Sequence, residues 1–181
     1  MKEFIYPEMM VHVGLCTSKL ANDVLIISDN SELLSKEVAR HGETNSTVVS
    51  SKLESIAHLD DNAYDVIICE LDIDATVASQ INRVLRDDGQ LVSNHPSLDK
   101  VKENKNLMKF LGSYFKVIMP FNIGNGSTSL MCSKEYHPTA DINLHRADML
   151  DGLSYYNCDV HPAAFAMGNY VRKEYLGSIK N

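Results

Sequence analysis

Three carboxylates, Glu70, Asp72 and Asp74, crowd the end of the apolar run Asp65-Val66-Ile67-Ile68-Cys69. Such a run reads as a buried strand, and open α/β sheets place their ligands at the carboxyl ends of strands. Carboxylates grouped there could hold a cationic diamine through charge-assisted hydrogen bonds. A solvated acidic loop is the preferred alternative, and both readings stand. Asp29, in Ser28-Asp29-Asn30-Ser31-Glu32-Leu33 after an earlier apolar run, could accept from a ligand hydroxyl or amine, or serve only as a loop or cap acid. His95, in Asn94-His95-Pro96, could act as a base near neutral pH, with a structural or surface role the preferred alternative.

The elements that must position these groups follow from periodicity. Residues 3–16 carry apolar groups at helical spacing, and Phe4, Met9, Val11 and Leu15 are expected to share a face. Val24-Leu25-Ile26-Ile27 reads as a first strand, Ser31 as an N-cap, and the helix it opens is expected to end near His41-Gly42. Thr47-Val48-Val49 is a short second strand, Leu53 and Ile56 mark a helical turn, and 65–69 is a third strand. A helix over 76–86, a turn at Asp88-Gly89, a strand at 90–93 and a helix over 98–111 follow. Strands at 115–119 and 127–132 flank Gly124-Asn125-Gly126, which is hairpin chemistry. Residues 161–176 read as mostly helical. Strands alternating with helices and then a hairpin predict an α/β fold with an open, mostly parallel sheet and a C-terminal antiparallel hairpin. Residues 1–181 read as one domain, since the chain has no repeats, low-complexity tracts or evident linker.

Bulk properties narrow the partners. The net charge of −7 argues against a surface that tracks phosphates, so no nucleic-acid partner is expected, while a cationic small molecule suits the sign. The four cysteines, Cys16, Cys69, Cys132 and Cys158, are far apart and lack CxxC or Cys/His ligand spacing, so no metal site is expected. Cys69 and Cys132 lie in apolar runs and read as buried. No signal-peptide pattern and no apolar run long enough to span a bilayer is visible, and a cytoplasmic location without membrane attachment is the expectation.

Two stretches carry a resemblance. Tyr155-Tyr156-Asn157-Cys158-Asp159-Val160-His161-Pro162-Ala163-Ala164-Phe165 is similar to the C-terminal signature of the spermidine synthases, the polyamine aminopropyltransferases. Glu3-Phe4-Ile5-Tyr6-Pro7-Glu8-Met9-Met10 resembles the segment that opens their α/β part, and Glu37-Val38-Ala39-Arg40-His41, Asp65-Val66-Ile67-Ile68, Pro120 and Cys132-Ser133-Lys134 match between them in order. The resemblance implies a Rossmann-like, methyltransferase-type sheet. It implies transfer of an aminopropyl group from decarboxylated S-adenosylmethionine to putrescine, with no metal and no cofactor beyond that co-substrate. It implies a homo-oligomer, commonly a dimer. The family's N-terminal β domain is expected to be absent here.

Mapped onto these positions, Glu70 occupies the catalytic place usually held by an aspartate, Tyr6 matches a substrate-lining tyrosine, and Asp72 and Asp29 are substrate-binding candidates. Tyr155, Tyr156 and His161 are read as packing of the C-terminal segment. The family's glycine-rich loop reads Ser28-Asp29-Asn30-Ser31-Glu32-Leu33, without glycine. Its ribose-binding acid is replaced at Ser50 and Ser51, Pro7 stands for a Gln or His, and Asn122 for a second tyrosine. The interval before Asp65 is short, as though one strand–helix unit were deleted. These losses imply impaired or lost turnover, and the alternative is a non-catalytic homologue acting as a binding or scaffold subunit. A methyltransferase using ordinary S-adenosylmethionine meets the same losses.

Overall fold

In the computed structural model, residues 2–124 and 126–181 are described. The order of elements is α1 (Ile5–Thr17), β1 (Asp23–Ile27), α2 (Glu32–Ala39), β2 (Asn45–Val49), α3 (Leu53–Ala57), β3 (Tyr64–Cys69), α4 (Ala75–Val84), β4 (Leu85–Ser93), α5 (Val101–Leu111), β5 (Val117–Asn122), β6 (Thr128–Ser133), α6 (Leu144–Asp148), α7 (Val160–Ala164) and α8 (Asn169–Glu174). One sheet runs β2-β1-β3-β4-β6-β5. β1 to β4 pair in parallel, and β6 inserts antiparallel between β4 and β5. The α/β class, the mostly parallel sheet and the antiparallel hairpin agree with the expectation. Asn125 of the hairpin's Gly-Asn-Gly lies outside the described residues.

The sheet separates two apolar layers. Val24, Ile26, Val66, Ile68 and Val92 pack under α1 and α2, and Leu25, Ile27, Ile67, Cys69 and Leu91 pack under α4 and α5. Central strands clothed on both faces need the unbroken apolar runs that made them recognisable. Cys16, Cys69 and Cys132 are buried, and burial pushes their thiols up, to about 11 for Cys16 and about 12 for Cys69.

Helix α1 departs from the amphipathic expectation. Every residue from Pro7 to Thr17 is buried, because α1 lies between the sheet, α2, α6 and the 154–165 segment. Its polar residues therefore need partners. Glu8 accepts the backbone N–H groups of Ser154 (3.0 Å), Tyr155 (2.8 Å) and Tyr156 (2.8 Å). His12 joins Glu37 (3.1 Å) and His41 (2.9 Å).

Other boundaries moved for local reasons. The chain enters β4 at Leu85 without a break, so the expected helix over 76–86 stops at Val84, and Asp88-Gly89 falls within an irregularity of the β3–β4 ladder. Ser31 stands at the N-cap of α2, but its side chain makes no cap bond. Asp74, read as part of the acidic cluster, is the effective cap: it accepts from Thr76 and Val77 N–H, both at 2.8 Å, and opens α4. The helix expected over 161–176 is two short helices, interrupted around Gly168.

Candidate active site

The candidate site forms at the carboxyl ends of β1, β3 and β4. Strand order reverses direction between β1 and β3, so the crossovers diverge there and leave a crevice. Three backbone bonds hold the rim together: Ser28 N–H to Val49 O (3.0 Å), Glu70 N–H to Ile27 O (2.9 Å) and Asn94 N–H to Cys69 O (3.3 Å). Each first residue beyond a strand is thereby fixed to the neighbouring strand's end.

Glu70 is the centre of this arrangement. Tyr6, from the first turn of α1, donates its hydroxyl to Glu70 Oε1 at 2.7 Å and lies 3.1 Å from Asn94 Oδ1. Ser28 Oγ donates to Glu70 Oε2 and also accepts the N–H of Asn30 at 2.9 Å. Burial, and then the bond and charge of Glu70, hold the Tyr6 phenol well above its ordinary range. Tyr6 is therefore a neutral donor at physiological pH and cannot serve as a base. A carboxylate held by two hydroxyl donors keeps further lone pairs for a third donor such as an ammonium or amine.

The structure brings Tyr6 and Glu70 into contact and leaves the other two expected site residues apart from them. Asp29 is exposed, and its Oδ1 accepts the N–H of Ser51 at 3.1 Å, tying the loop after β1 to the loop after β2. Asp72 is exposed and lines a cleft of about 460 Å3 together with Asn94, His95 and Lys100. His95 has both ring nitrogens engaged. Asn104 uses its amide N–H groups on the carbonyls of Pro96 and Ser97, so its oxygen faces His95 Nδ1 (2.7 Å) and the imidazole donates there. Nε2 then accepts from Thr128 (2.9 Å), and burial holds the ring below its ordinary pKa. His95 is a structural histidine that joins β4, α5 and β6.

Asn122 ties the hairpin to the C-terminal segment through Ala164 O (3.1 Å). Tyr156 Oη meets His161 Nδ1 at 2.7 Å in the layer over α1, which is the packing role read from sequence. Leu33, the last residue of the glycine-free loop, is 46% exposed, because α2 turns Leu34 and Val38 inward. Ser28 is buried and bonded to Glu70. Ser28 and Asn94 had no role assigned from sequence. The available signal was their place, each the first residue after an apolar strand on the rim that carries Glu70. Among the described residues, no group of three or more His, Cys, Asp or Glu is placed to hold a metal ion, and no helix is long and apolar enough to cross a membrane.

Comparison with known proteins agrees with this architecture. A polyamine aminopropyltransferase of Helicobacter pylori (strain G27) is 26% identical over 212 positions, covering 99% of this chain and 80% of that protein. One from Clostridium acetobutylicum is 24% identical, covering 95% of this chain and 78% of the relative. The chain is similar to the polyamine aminopropyltransferases over nearly its whole length. No family model matches it. The crystal structure of spermidine synthase from Thermotoga maritima superposes with a TM-score of 0.82 at 21% identity, over 95% of this chain and 74% of that one. A spermidine synthase in complex with the transition-state analogue AdoDATO gives 0.83 at 21% identity, over 95% and 75%. The aligned span of 212 positions exceeds the 181 residues of the chain, so the Helicobacter relative carries internal segments that are lacking here. Between β2 and β3 this chain has only the five-residue α3, and β2 is the edge of its sheet.

Proposed function

We propose that this chain is a spermidine synthase-like aminopropyltransferase that retains the amine-holding half of the site and turns over slowly because the nucleoside-holding half has been rebuilt. The contact between Tyr6 and Glu70 at the switch point of the sheet carries this reading. The amine is putrescine, and the co-substrate is decarboxylated S-adenosylmethionine, with no further cofactor. The neutral amine nitrogen attacks the carbon bonded to the sulfonium sulfur. The N–C bond forms, the C–S bonding pair passes to sulfur, and methylthioadenosine leaves. Glu70 holds the amine and takes its proton, while Tyr6 fixes the carboxylate's direction. Asp72 and Asp29, exposed at the same end of the sheet, add negative potential that draws the diamine in. Slow turnover follows from the loop after β1, which lacks glycine and uses Ser28 to occupy Glu70 Oε2. A homodimer in the cytoplasm completes the reading.

The test incubates purified protein with both substrates and follows methylthioadenosine and spermidine by mass spectrometry, beside calorimetric titration with putrescine. Slow product formation that Glu70→Gln abolishes and Tyr6→Phe reduces supports the proposal. Failure to bind putrescine would remove it. A second reading, a non-catalytic binding or scaffold subunit, draws on the fact that both Glu70 oxygens already have internal partners. It requires a folded wild type that makes no product at high protein concentration.

A further inference from the structure

A cleft of about 620 Å3 opens at the amino ends of β1 and β2, between the end of α2 and α6. Glu70 lies beyond the carboxyl ends of the strands. The five-residue β1 spans roughly 16 Å between the two levels, so this cleft is separate from the candidate active site. Its walls are tied down by bonds between the segments that enter the strands and helices. Asn45 N–H donates to Asn22 O, Thr44 Oγ1 to Ala21 O and Asn143 N–H to Cys16 O, each at 2.7 Å.

The chain has a net charge of −7, yet this wall carries Arg40 and Arg146 against one carboxylate, the exposed Glu43. Arg146 is held without an acid. Its Nη1 donates to the carbonyls of Leu15 and Ser18, and its Nη2 to Lys19 O (3.1 Å), which caps the end of α1. Carbonyl oxygens orient a guanidinium without cancelling its charge, and among the described residues no carboxylate forms an ion pair with it. These bonds use three of its five N–H groups and leave Nε–H and one Nη2–H over. Arg40 is braced by Glu37 Oε2, 2.6 Å from Nε, and by Asp151 O, 2.8 Å from Nη1. Glu37 is shared with His12, so its charge is divided between two partners. The field of Arg146 is felt at His41 on the same wall, whose pKa falls to about 3 through burial, His12 and Arg146, with Glu37 acting in the opposite sense. Asn143 Oδ1 accepts Arg146 N–H (2.9 Å), which leaves the Asn143 NH2 as a neutral donor.

We infer that this cleft binds a phosphate group, with the remaining N–H groups of Arg146 and Arg40 donating to its oxygens. Two guanidiniums beside one solvated carboxylate suit a dianion better than a monoanion such as acetate. Arg146 is already fixed by three carbonyls, so little freedom is lost when it takes up a ligand. Bound phosphate links α2 to α6 and raises stability by mass action. The inference uses residues outside the candidate active site and does not depend on the proposed activity.

Calorimetric titration of the full chain with inorganic phosphate, glycerol 3-phosphate and acetate, at constant ionic strength, reads the result. Both phosphates are expected to bind saturably, and acetate roughly tenfold more weakly or worse. Tighter binding of glycerol 3-phosphate identifies an organic monoester as the occupant, and tighter binding of inorganic phosphate identifies the free ion. Arg40→Gln and Arg146→Lys should each weaken phosphate binding by roughly 10- to 100-fold. Arg146→Lys keeps a cation at the end of α1, circular dichroism checks its fold, and Arg40→Gln decides alone if that variant unfolds. Glu70→Gln should bind phosphate as wild type does, so loss of turnover and loss of phosphate binding are read apart. No saturable binding of either phosphate would overturn the inference. So would acetate binding as tightly as phosphate, or undiminished affinity in a folded arginine variant.

Discussion

Removing the carboxylate of Glu8 should loosen the segment that closes one layer of the core. Glu8 is 2% exposed, and its two oxygens receive three backbone N–H groups at 2.8–3.0 Å. Hydrogen bonds to a charged group contribute about 1.5–3 kcal/mol each, and part of that returns as freed N–H groups rehydrate. Glu8→Gln preserves one acceptor. With its oxygen toward Tyr155 and Tyr156, the new NH2 faces the N–H of Ser154, donor against donor. That substitution should cost about 2 kcal/mol. Glu8→Ala loses all three bonds and leaves a cavity beside Tyr156, and should cost about 4 kcal/mol, a large share of a small domain's stability. Urea unfolding followed by far-ultraviolet circular dichroism measures both. The two variants should rank in that order, and native-state hydrogen exchange should accelerate first at residues 154–156. A cost below about 1 kcal/mol for Glu8→Ala would refute the view that Glu8 anchors this segment.

Three further outcomes follow. Burial lowers the pKa of His161 from 6.5 to about 4, so the unfolded chain takes up the proton first as pH falls. Its stabilising contribution is complete above about pH 6.5 and is lost toward pH 4, with about 2 kcal/mol gone by about pH 5. Urea titrations across that range should show a shallower slope for His161→Asn than for wild type. Arg86 bonds the nearly buried Asp65 at 2.6 Å and Asp23 at 2.8 Å from a partly exposed position. Arg86→Met should cost about 2 kcal/mol, discounted for solvent screening of the arginine, and a midpoint unchanged in urea would contradict this. Gly124 has φ +75°, and a Cβ there would lie 2.5 Å from Tyr155 Oη. Gly124→Ala should lower the melting temperature and shift the Tyr155 ring resonances in an NMR spectrum.

Much of the architecture was readable along the chain because local physics carried it. Val24–Ile27 and Val66–Cys69 are apolar without interruption since both of their faces are covered, and the dense polar groups between elements mark where turns must occur. The resemblance at 155–165 and 3–10 reflects residues that pack against each other through Glu8, although they lie at opposite ends of the chain. What misled was α1, whose polar residues suggest a wet face. Glu8 and His12 are buried because partners more than twenty residues away satisfy them, and no local pattern reports such partners.

The candidate site divides in the same way. The sequence by itself placed acids at the end of the third strand, and the resemblance marked Tyr6 as substrate-lining, without joining the two. Only the tertiary structure decided that Glu70 is the acid in contact with Tyr6, that Asp74 caps α4, and that Asp72 lies exposed on a cleft beside Asn94. Ser28, Glu70 and Asn94 converge because three strands end at one rim, a consequence of parallel pairing and strand order. β2 became an exposed edge for the same reason, because pairing between distant segments sets which strand has no neighbour.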